Sequence, residues 1–466
     1  MASETPTTLE QLQQENQALR ARVAALEETV RQLQNDQQKL QEKLGEAQRA
    51  SARQAAPFRR PERTKVPEGR KKRPGRPPGH PGACRAVPTQ IDEQAEVPLG
   101  GCPCCGGPLS QVGPVEQFIE DLPPRRPHVT RIVTYKGTCP SCGEVQSTHP
   151  LQMSEATGAA KVQLGPRAVA LAVVLNKRFG LTIRTSCHVL DQLGGLRVTP
   201  GGLTQAFERV TAKFTSAYDR LIDDLRQAAA VFADETSWYV GEPGYWLWSF
   251  TNATTTAYVV DPHRSHEIPL RILGEDFAGM LVSDCLSSYD PLPYKKHKCT
   301  AHHQKAIAEA RARPDTPDPG YLKQWTLLFT MVGALWKHRE RLGETEFVRQ
   351  RTALESWCDR LLSEDRKQAG DLAIQERLRK QRESLFGCLY EPAAEPTNNR
   401  AERAHRWAVI ARKLSCGNKT DAGKRCFEVL ASLAQTCSQR GHDFVSYLAK
   451  FLPKDTTPEP IPPATR

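Results

Sequence analysis

The chain has 466 residues, which is more than one hydrophobic core accommodates and corresponds to about three domains. Its composition is 39% hydrophobic and 25% charged, and no apolar run approaches the roughly 18 residues of a membrane span, so the sequence excludes a membrane protein. Without a secretory signal at its start the chain is expected to stay inside the cell, and its net charge of +11 favours a polyanionic partner.

Residues 8–45 carry a heptad repeat of apolar residues. Leucines recur every seven residues, while valines and Asn16 occupy the companion core position. β-Branched residues at one core position with leucine at the other favour two parallel strands, and a single core asparagine fixes their register. We predict a homodimeric leucine-zipper coiled coil; the alternative is an amphipathic helix packed on its own protein. The predicted dimerisation residues are Leu12, Asn16, Leu19, Val23, Leu26, Val30, Leu33 and Leu40.

Residues 46–98 form a basic arm rich in Pro and Gly. Twelve Lys and Arg against two Glu give residues 49–85 a net charge of +10, nearly the whole excess of the chain. With few large apolar residues to bury, the arm is expected to be largely disordered alone. Its segment KKRPGRPPGHPG resembles an AT-hook, whose arginines enter the minor groove of DNA; the alternative is a linker that binds phosphate nonspecifically. The predicted DNA contacts are Lys71, Lys72, Arg73 and Arg76.

Residues 99–150 contain two cysteine turns, CPCCG and CPSCG. Two CxxC pairs are typical of structural zinc, and a closed four-thiolate site leaves no position for a substrate water. Between them, residues 117–123 and 128–138 alternate as short strands do, which predicts a zinc ribbon. The spare Cys104 leaves open an exchange with a neighbouring cysteine. The predicted ligands of one Zn²⁺ are Cys102, Cys105, Cys139 and Cys142.

Residues 160–225 read as a helical DNA-binding domain. Two helices are followed by a Gly-containing turn, by Thr199 as a cap and by Pro200 at the first position of a third helix. This order fits a helix-turn-helix, and the alternative is a helical bundle that joins two domains. In the first interpretation the third helix enters the major groove. Its predicted reading residues are Thr204, Gln205 and Arg209.

Residues 228–303 change to strand patterns: three strands, a helix and a fourth strand, which match the opening of a ribonuclease H-like fold. Asp234 lies within the first strand and Asp284 ends the fourth, so both carboxylates are expected at one edge of the sheet. Asn398 at a helix cap places Glu402 on the first turn of a late helix. Three such carboxylates suit two Mg²⁺ (or Mn²⁺) ions that promote in-line displacement at a phosphodiester.

An all-helical insertion is predicted at 304–390, between the second and third acids; the catalytic domain then resumes at 391–455 and ends in a tail at 456–466. Three tryptophans of the insertion are expected in its core, and platforms for a flipped base are the alternative. They are Trp325, Trp336 and Trp357. Cations that recur on the late helix and its exit suit contact with DNA phosphate. They are Arg403, Arg406, Arg412 and Lys413.

Several motifs together resemble the DDE transposases of the insertion-sequence sixty-six family. They are the DET triplet at Asp234, SDCLSSYD around Asp284, CTAH at 299–302 and NNRAERAHRWAVIARKLSCGNKTDAG at 398–423. The likeness spans nearly the whole chain, including the leucine-rich start, PGRPPGHPG and the cysteine turns. The resemblance implies that Asp234, Asp284 and Glu402 are the DDE acids.

Cys299 and His302 also resemble the [C/D]xxH motif of hAT-type transposases, in which the histidine assists near the scissile phosphate. The alternative for this pair is a helix packing motif. Two departures from the family pattern are the CLS sequence at 285–287, in place of a Gly-Tyr-like turn, and His405, where Leu is usual. Neither departure removes a carboxylate.

The resemblance and the motifs predict a multidomain α+β/α DNA transposase that binds the ends of an insertion sequence and cleaves and transfers strands by two-metal-ion transesterification. Its expected partners are double-stranded DNA of ends and target, a second copy through the coiled coil, and accessory proteins of the same element. Its expected place is the bacterial cytoplasm, at the nucleoid. One alternative is a noncatalytic dimeric zinc-containing DNA-binding regulator. Another is a ribonuclease H-like nuclease without strand transfer.

Overall fold

The structure is a computed structural model that describes residues 17, 20–23, 27–28, 31–32, 36–37, 86–121, 126–153, 162–313 and 320–464. The chain divides into two compact units, Phe58–His128 and the combination of Met1–Pro57 with Val129–Arg466. Of the predicted dimerisation residues only Val23 is among those described; it is helical and 52% exposed. The predicted DNA contacts at 71–73 and 76 lie outside the described residues.

The unit Phe58–His128 has no helix or strand in its described part. Its first cysteine turn is closed by backbone hydrogen bonds, from Cys102 N to Gly107 O at 2.9 Å and from Gly106 N to Cys102 O at 2.8 Å. The strand expected at 117–123 is wrong for residues 117–121. Ile119 is 93% exposed there, so the alternating apolar residues have no buried face that would stabilise a strand.

The larger unit begins its described sheet structure with a hairpin of β1 (Lys136–Cys139) and β2 (Gly143–Gln146), which carries the second cysteine turn. Gly143 has φ +77°, a conformation that a residue with a side chain rarely adopts. Of the strand expected at 128–138, only residues 136–138 belong to a strand, β1. The rest of that segment has exposed apolar residues, among them Val129 at 85%.

Three helices follow, α1 (Pro166–Lys177), α2 (Ile183–Gly194) and α3 (Pro200–Arg226). The predicted start of the third helix is confirmed. Thr199 is its N-cap and accepts a hydrogen bond from Gly202 N at 3.1 Å, and Pro200 is its first residue.

A mixed five-stranded sheet stands at the centre of this unit. Its strands are β3 (Ala230–Val240), β4 (Glu242–Thr251), β5 (Thr256–Asp261), β6 (Met280–Ser283) and β7 (Lys295–Lys298). The spatial order is β5-β4-β3-β6-β7; β3, β4 and β5 are antiparallel, whereas β6 runs parallel to β3, and β7 runs parallel to β6. The three linked strands, the helix α4 (Glu267–Leu273) and the fourth strand were all expected.

Strand β7 was not predicted, because its sequence KKHK has no apolar residue. It lies at the edge of the sheet and nevertheless buries His297 and Lys298. Lys298 Nζ pairs with Asp290 at 2.9 Å, and His297 Nε2 lies 3.1 Å from Pro396 O. The buried ammonium and the imidazole Nε2 therefore both have polar partners.

The helical insertion is present between the second and third acids as α5 (Thr300–Arg311), α6 (Gly320–His338), α7 (Glu344–Ser363) and α8 (Ala369–Lys380). The core role of Trp325 is confirmed because it is fully buried, and Trp336 and Trp357 pack against the same core. The chain then forms α9 (Asn399–Ser415), α10 (Asp421–Gln439) and α11 (Phe444–Phe451).

The two faces of the sheet are covered by different cores. Val231 and Ala233 of β3 belong to a core shared with α1, α3, α10 and α11, whereas Ala230 and Phe232 belong to the core of the insertion. Successive side chains of a strand point to opposite faces. Asp234 therefore lies on the insertion side of the sheet, and the next residue lies on the other side.

The residues after α11 pack on the core that includes α1, α3, α10 and α11. Ile461 is 3% exposed, and Tyr447 Oη donates to Glu459 O at 2.7 Å. The segment called a tail from its sequence is thus packed at Pro458 and Ile461, whereas residues 462–464 are exposed. Across the described residues, no helix combines the length and apolar composition that a membrane crossing requires.

Candidate active site

The three predicted acids come from three adjoining elements of the larger unit. Asp234 lies on β3, Asp284 directly follows the parallel neighbour β6, and Glu402 is on the first turn of α9, which packs on β3. Asp234 lies within electrostatic range of the other two carboxylates. Burial, together with the negative charges of Glu235, Asp284 and Glu402, raises the pKa of Asp234 to about 8.

Asn398 fixes the start of α9 against the strand that carries Asp234. Its Nδ2 donates to Ala233 O at 2.8 Å, and its backbone N donates to Cys299 Sγ at 3.2 Å. Asn398 occupies the N-cap position as expected, but its side chain makes no capping hydrogen bond. Its Nδ2 is instead bonded to the backbone of β3. Its Oδ1 is buried without a hydrogen-bond partner.

Cys299 and His302 occupy different surroundings at the start of α5. Cys299 is fully buried at the N-cap and accepts the bond from Asn398, as a packing residue does. His302 is half-buried: a hydrogen bond with Cys299 raises its pKa, burial opposes the rise, and the charges of Asp284 and Glu402 add to it. The histidine therefore lies within electrostatic range of these two carboxylates.

Glu235 anchors the turn after Asp284 from the opposite face of β3, and the sequence interpretation missed it. Its carboxylate accepts hydrogen bonds from Tyr289 Oη at 2.6 Å and from Arg264 Nη2 at 2.8 Å. The turn itself is closed by Leu286 N, which donates to Asp284 Oδ1 at 2.9 Å. The available signal was an acid beside Asp234 inside an otherwise apolar strand.

His405 makes a buried polar contact between α9 and the sheet. Its Nε2 is 2.9 Å from Asp234 O and 3.0 Å from Ser249 Oγ. Burial lowers its pKa to about 4, so the ring is neutral at pH 7. Because a carbonyl oxygen only accepts, Nε2 carries the proton and donates it to Asp234 O.

The predicted DNA-contacting residues that the structure describes lie mainly at the surface. Thr204, Gln205 and Arg209 are exposed on α3, and Arg403 and Arg406 are exposed on α9. Lys413 is partly exposed. Arg412 instead donates to the carbonyl and, at 2.9 Å, to Oγ of Ser237, so its guanidinium is already bound to β3.

The donor set at the acids fits a divalent cation. Carboxylate oxygens are hard ligands that suit Mg²⁺ or Mn²⁺. Burial and then the neighbouring negative charges raise the pKa of Asp234, and a bound cation would relieve the repulsion from those charges. In the part of the chain that the structure describes, no three His, Cys, Asp or Glu side chains are gathered closely enough to hold a metal ion.

The cysteine turns, which belong to different compact units, both favour thiolate. Backbone N–H groups of Cys104 and Cys105 lower the pKa of the Cys102 thiol. Backbone N–H groups of Ser141 and Cys142 do the same for Cys139. Thiolate is the form that binds zinc.

A cavity of about 460 Å³ lies beside the start of β3, with Phe232, Trp336 and Arg400 in its wall. Trp336 Nε1 donates to Ala394 O at 2.7 Å, and the Arg400 guanidinium pairs with Glu395. These bonds fix both side chains in place. Trp336 therefore combines packing on the insertion core with partial exposure to the cavity.

Comparison with known proteins shows the family of the chain. A model described as the Transposase IS66 family matches residues 161–425, more than half of the chain and all three acids. The chain belongs to this family. A model described as the zinc-finger binding domain of transposase IS66 matches residues 100–143, a range that contains the four predicted zinc ligands of this IS66-family chain.

Two curated relatives, both from Sinorhizobium fredii, are similar to this IS66-family chain. Uncharacterized protein y4qI is 24% identical over 55% of the chain and 53% of its own length. Uncharacterized protein y4jD is 23% identical over 75% of the chain and 74% of its own length. The chain therefore spans about half the length of the first relative and three quarters of the second.

Proposed function

We propose that this IS66-family chain is a DNA transposase that binds the ends of an insertion sequence and catalyses cleavage and transfer of DNA strands. The observation that carries the proposal is that Asp284, directly after β6, and Glu402, on α9, lie within electrostatic range of Asp234 on β3. Acids in one such place cost stability through repulsion, and a metal-dependent reaction at phosphodiesters gives that cost a function.

The strand order supports a ribonuclease H-like catalytic domain. Three antiparallel strands are followed by two parallel ones in the order β5-β4-β3-β6-β7. Asp234 lies on β3, and Asp284 directly follows the adjoining β6. In this interpretation the catalytic domain has a first part at 228–303 and a last part at 391–455, separated by the insertion at 304–390.

In the proposed mechanism Asp234, Asp284 and Glu402 hold two Mg²⁺ (or Mn²⁺) ions. When bound, the ions supply charge neutralisation at the phosphate and lower the pKa of the attacking hydroxyl or water. His302 donates a hydrogen bond at the scissile phosphate and gives a proton to the leaving 3′-oxygen. Its raised pKa favours the protonated form that this role needs.

The chain's other groups orient the acids. Asn398 and His405 tie α9 to β3, which sets the position of Glu402 relative to Asp234. Glu235, through Tyr289, holds the turn that follows Asp284. A site assembled in this way presents its carboxylates in a fixed relation, which is the main contribution that a protein makes to phosphoryl transfer.

Recognition of the DNA ends is assigned to the remaining segments. The zinc-binding segment at 99–150, the helical segment at 160–225 and the arm at 46–98 are proposed to bind DNA, with Thr204, Gln205 and Arg209 exposed on α3. The four cysteines are the proposed ligands of one structural Zn²⁺, in keeping with the zinc-finger match. The heptads at 8–45 are proposed to form a homodimer.

The test is incubation of the full chain with DNA that carries the terminal repeats of its element, together with a supercoiled target plasmid and Mg²⁺. We expect nicking at the repeat ends and joined end–target products, both abolished by chelation of Mg²⁺. Binding without nicking would contradict the enzyme and favour the DNA-binding regulator. Nicking without joined products would favour a nuclease without strand transfer.

A further inference from the structure

Arg377 brings a positive charge from the helical insertion towards the acids. It lies on α8, which packs on α5, the helix that carries His302 and His303. Ile374 and Leu378, on either side of it in sequence, are 5% and 1% exposed in the core of the insertion. The helix is therefore firmly seated, and the position of the Arg377 backbone is set by packing.

The Arg377 guanidinium reaches the turn that starts at Asp284. Burial is the main cause of the pKa shifts of the Cys285 thiol, in the residue after Asp284, and of the His303 ring, and the nearby charge of Arg377 lowers the pKa of both. Cys285 Sγ is itself 3.7 Å from His303 Nε2, so the three groups form one cluster. The Nε of Arg377 is buried without a hydrogen-bond partner.

Arg377 differs from three nearby arginines in having no carboxylate partner. Arg366 pairs with Asp371, Arg379 with Glu376 and Arg382 with Asp359. Among the described residues no acid forms an ion pair with Arg377. A thiol is a weak acceptor, so hydrogen-bonding capacity of this guanidinium is left over beside an acidic site.

We propose that Arg377 binds a phosphate group of the DNA backbone held next to the three carboxylates; this inference rests on the proposed function. A planar guanidinium offers two parallel N–H donors to phosphate oxygens, and it remains charged at any pH at which the protein is folded. The acids repel a polyanion, so a fixed cation beside Asp284 offsets that repulsion on the insertion side. The insertion thereby contributes a contact to substrate.

The experiment compares Arg377→Gln with Arg379→Gln, a matched control on the exposed side of α8. Affinity of each full-length protein for a labelled terminal-repeat duplex, and for a scrambled duplex, is measured in Ca²⁺ between about 50 and 200 mM salt. Loss of one phosphate contact lowers the slope of log affinity against log salt by about one. For Arg377→Gln we expect this lower slope and about tenfold weaker binding to both duplexes. For Arg379→Gln we expect the slope and the affinity of wild type.

Arg377→Lys separates charge from packing, since lysine keeps the charge but has no bidentate fork. It is expected to keep the wild-type salt slope and to lose part of the affinity. Wild-type affinity and slope in Arg377→Gln would overturn the proposal, as would weaker binding with an unchanged slope. If the wild type shows no cleavage in Mg²⁺ while the salt slopes differ as expected, the proposed function fails and the phosphate contact stands.

Discussion

At the scale of single residues, the site places a carboxylate where its charge is disfavoured. Asp234 is half-buried beside Glu235, Asp284 and Glu402, and its pKa is raised to about 8. The unfolded chain ionises this group near its ordinary pKa, so between about pH 4 and pH 8 its ionisation favours unfolding increasingly. Without a cation the site therefore weakens the fold as pH rises.

The substitution Asp234→Asn tests this cost. It removes the ionisable group, so the metal-free variant is expected to melt at a higher temperature than wild type at pH 8, by a margin that shrinks towards pH 4. Thermal melts in a chelator across this pH range measure the margin. Asp276→Asn, at an exposed acid, is the control and is expected to change nothing. A difference in melting temperature that does not change with pH would contradict the raised pKa of Asp234.

A second buried charge lies far from the acids, in α1. Lys177 is 7% exposed, with its Nζ 5.7 Å from the Phe207 ring centroid and 6.0 Å from that of Phe427. Burial lowers its pKa to about 8, well below its ordinary value, and a coulombic contribution from Cys426 partly opposes the shift. The folded state therefore disfavours the charged form that the unfolded chain carries.

Lys177→Met is expected to raise the free energy of unfolding at pH 7 by about 3 kcal/mol, since the pKa of Lys177 falls from 10.5 to about 8 and one pKa unit corresponds to about 1.4 kcal/mol. The gain is fully present below pH 8 and narrows as pH rises towards 10, because wild type recovers stability in that window. Urea unfolding at pH 7 and pH 10 gives both values. An equal gain at the two pH values would show that packing, and not charge, decides the effect.

At the scale of elements, α9 is the piece whose placement decides the site. It carries Glu402 and is held to β3 by Asn398 and His405, which contact Ala233 O and Asp234 O. Two polar bonds at one end of a helix set its position more closely than apolar packing does, because they have preferred directions as well as distances.

Asn398→Ala is expected to lower cleavage about 10- to 100-fold through the displaced Glu402 and to cost about 1–3 kcal/mol of stability. Asn398→Asp should behave similarly, because a carboxylate cannot donate to Ala233 O. Asn399→Ala, at the exposed neighbouring position, is the control. Cleavage rates and melting temperatures are measured together; wild-type cleavage by Asn398→Ala would contradict the positioning role.

Which elements could be predicted depended on how their residues are stabilised. β3, β4 and β5 are apolar strands that local pattern reveals, and Asp234 and Asp284 stand out because they interrupt or end such strands. β7 escaped notice because its KKHK sequence is paired with distant groups such as Asp290 and Pro396. Glu235 was missed for the same reason, since its partners Arg264 and Tyr289 are remote in sequence. The strand expected at 117–121 failed because alternation alone supplies no packing partner.

At the scale of the whole molecule, charge and function are divided along the chain. Residues 49–85 hold a net +10 of the total +11, which leaves a nearly neutral remainder. In the proposed function the basic arm captures DNA phosphate, the zinc-binding and helical segments contribute to recognition of the ends, and the three acids hold metal ions.

The predicted dimer is tested by Leu26→Pro, which breaks a helix in the middle of the heptads. We expect light scattering to report a dimer for wild type and a monomer for the variant. The thermal transition of the catalytic unit should be unchanged, because the described residues that form its cores or pack against them begin at Met153. A variant that remains dimeric would place the interface elsewhere.

The central claim is that Asp234, Asp284 and Glu402 form one metal-dependent catalytic centre for DNA cleavage and joining. The most direct measurement is the rate of cleavage and joining of terminal-repeat DNA in Mg²⁺ by Asp234→Asn, Asp284→Asn and Glu402→Gln, with Asp276→Asn as control and DNA binding measured in Ca²⁺. Each of the three variants is expected to bind DNA but to have no activity above background, while the control matches wild type. Wild-type activity in any one of the three would contradict it.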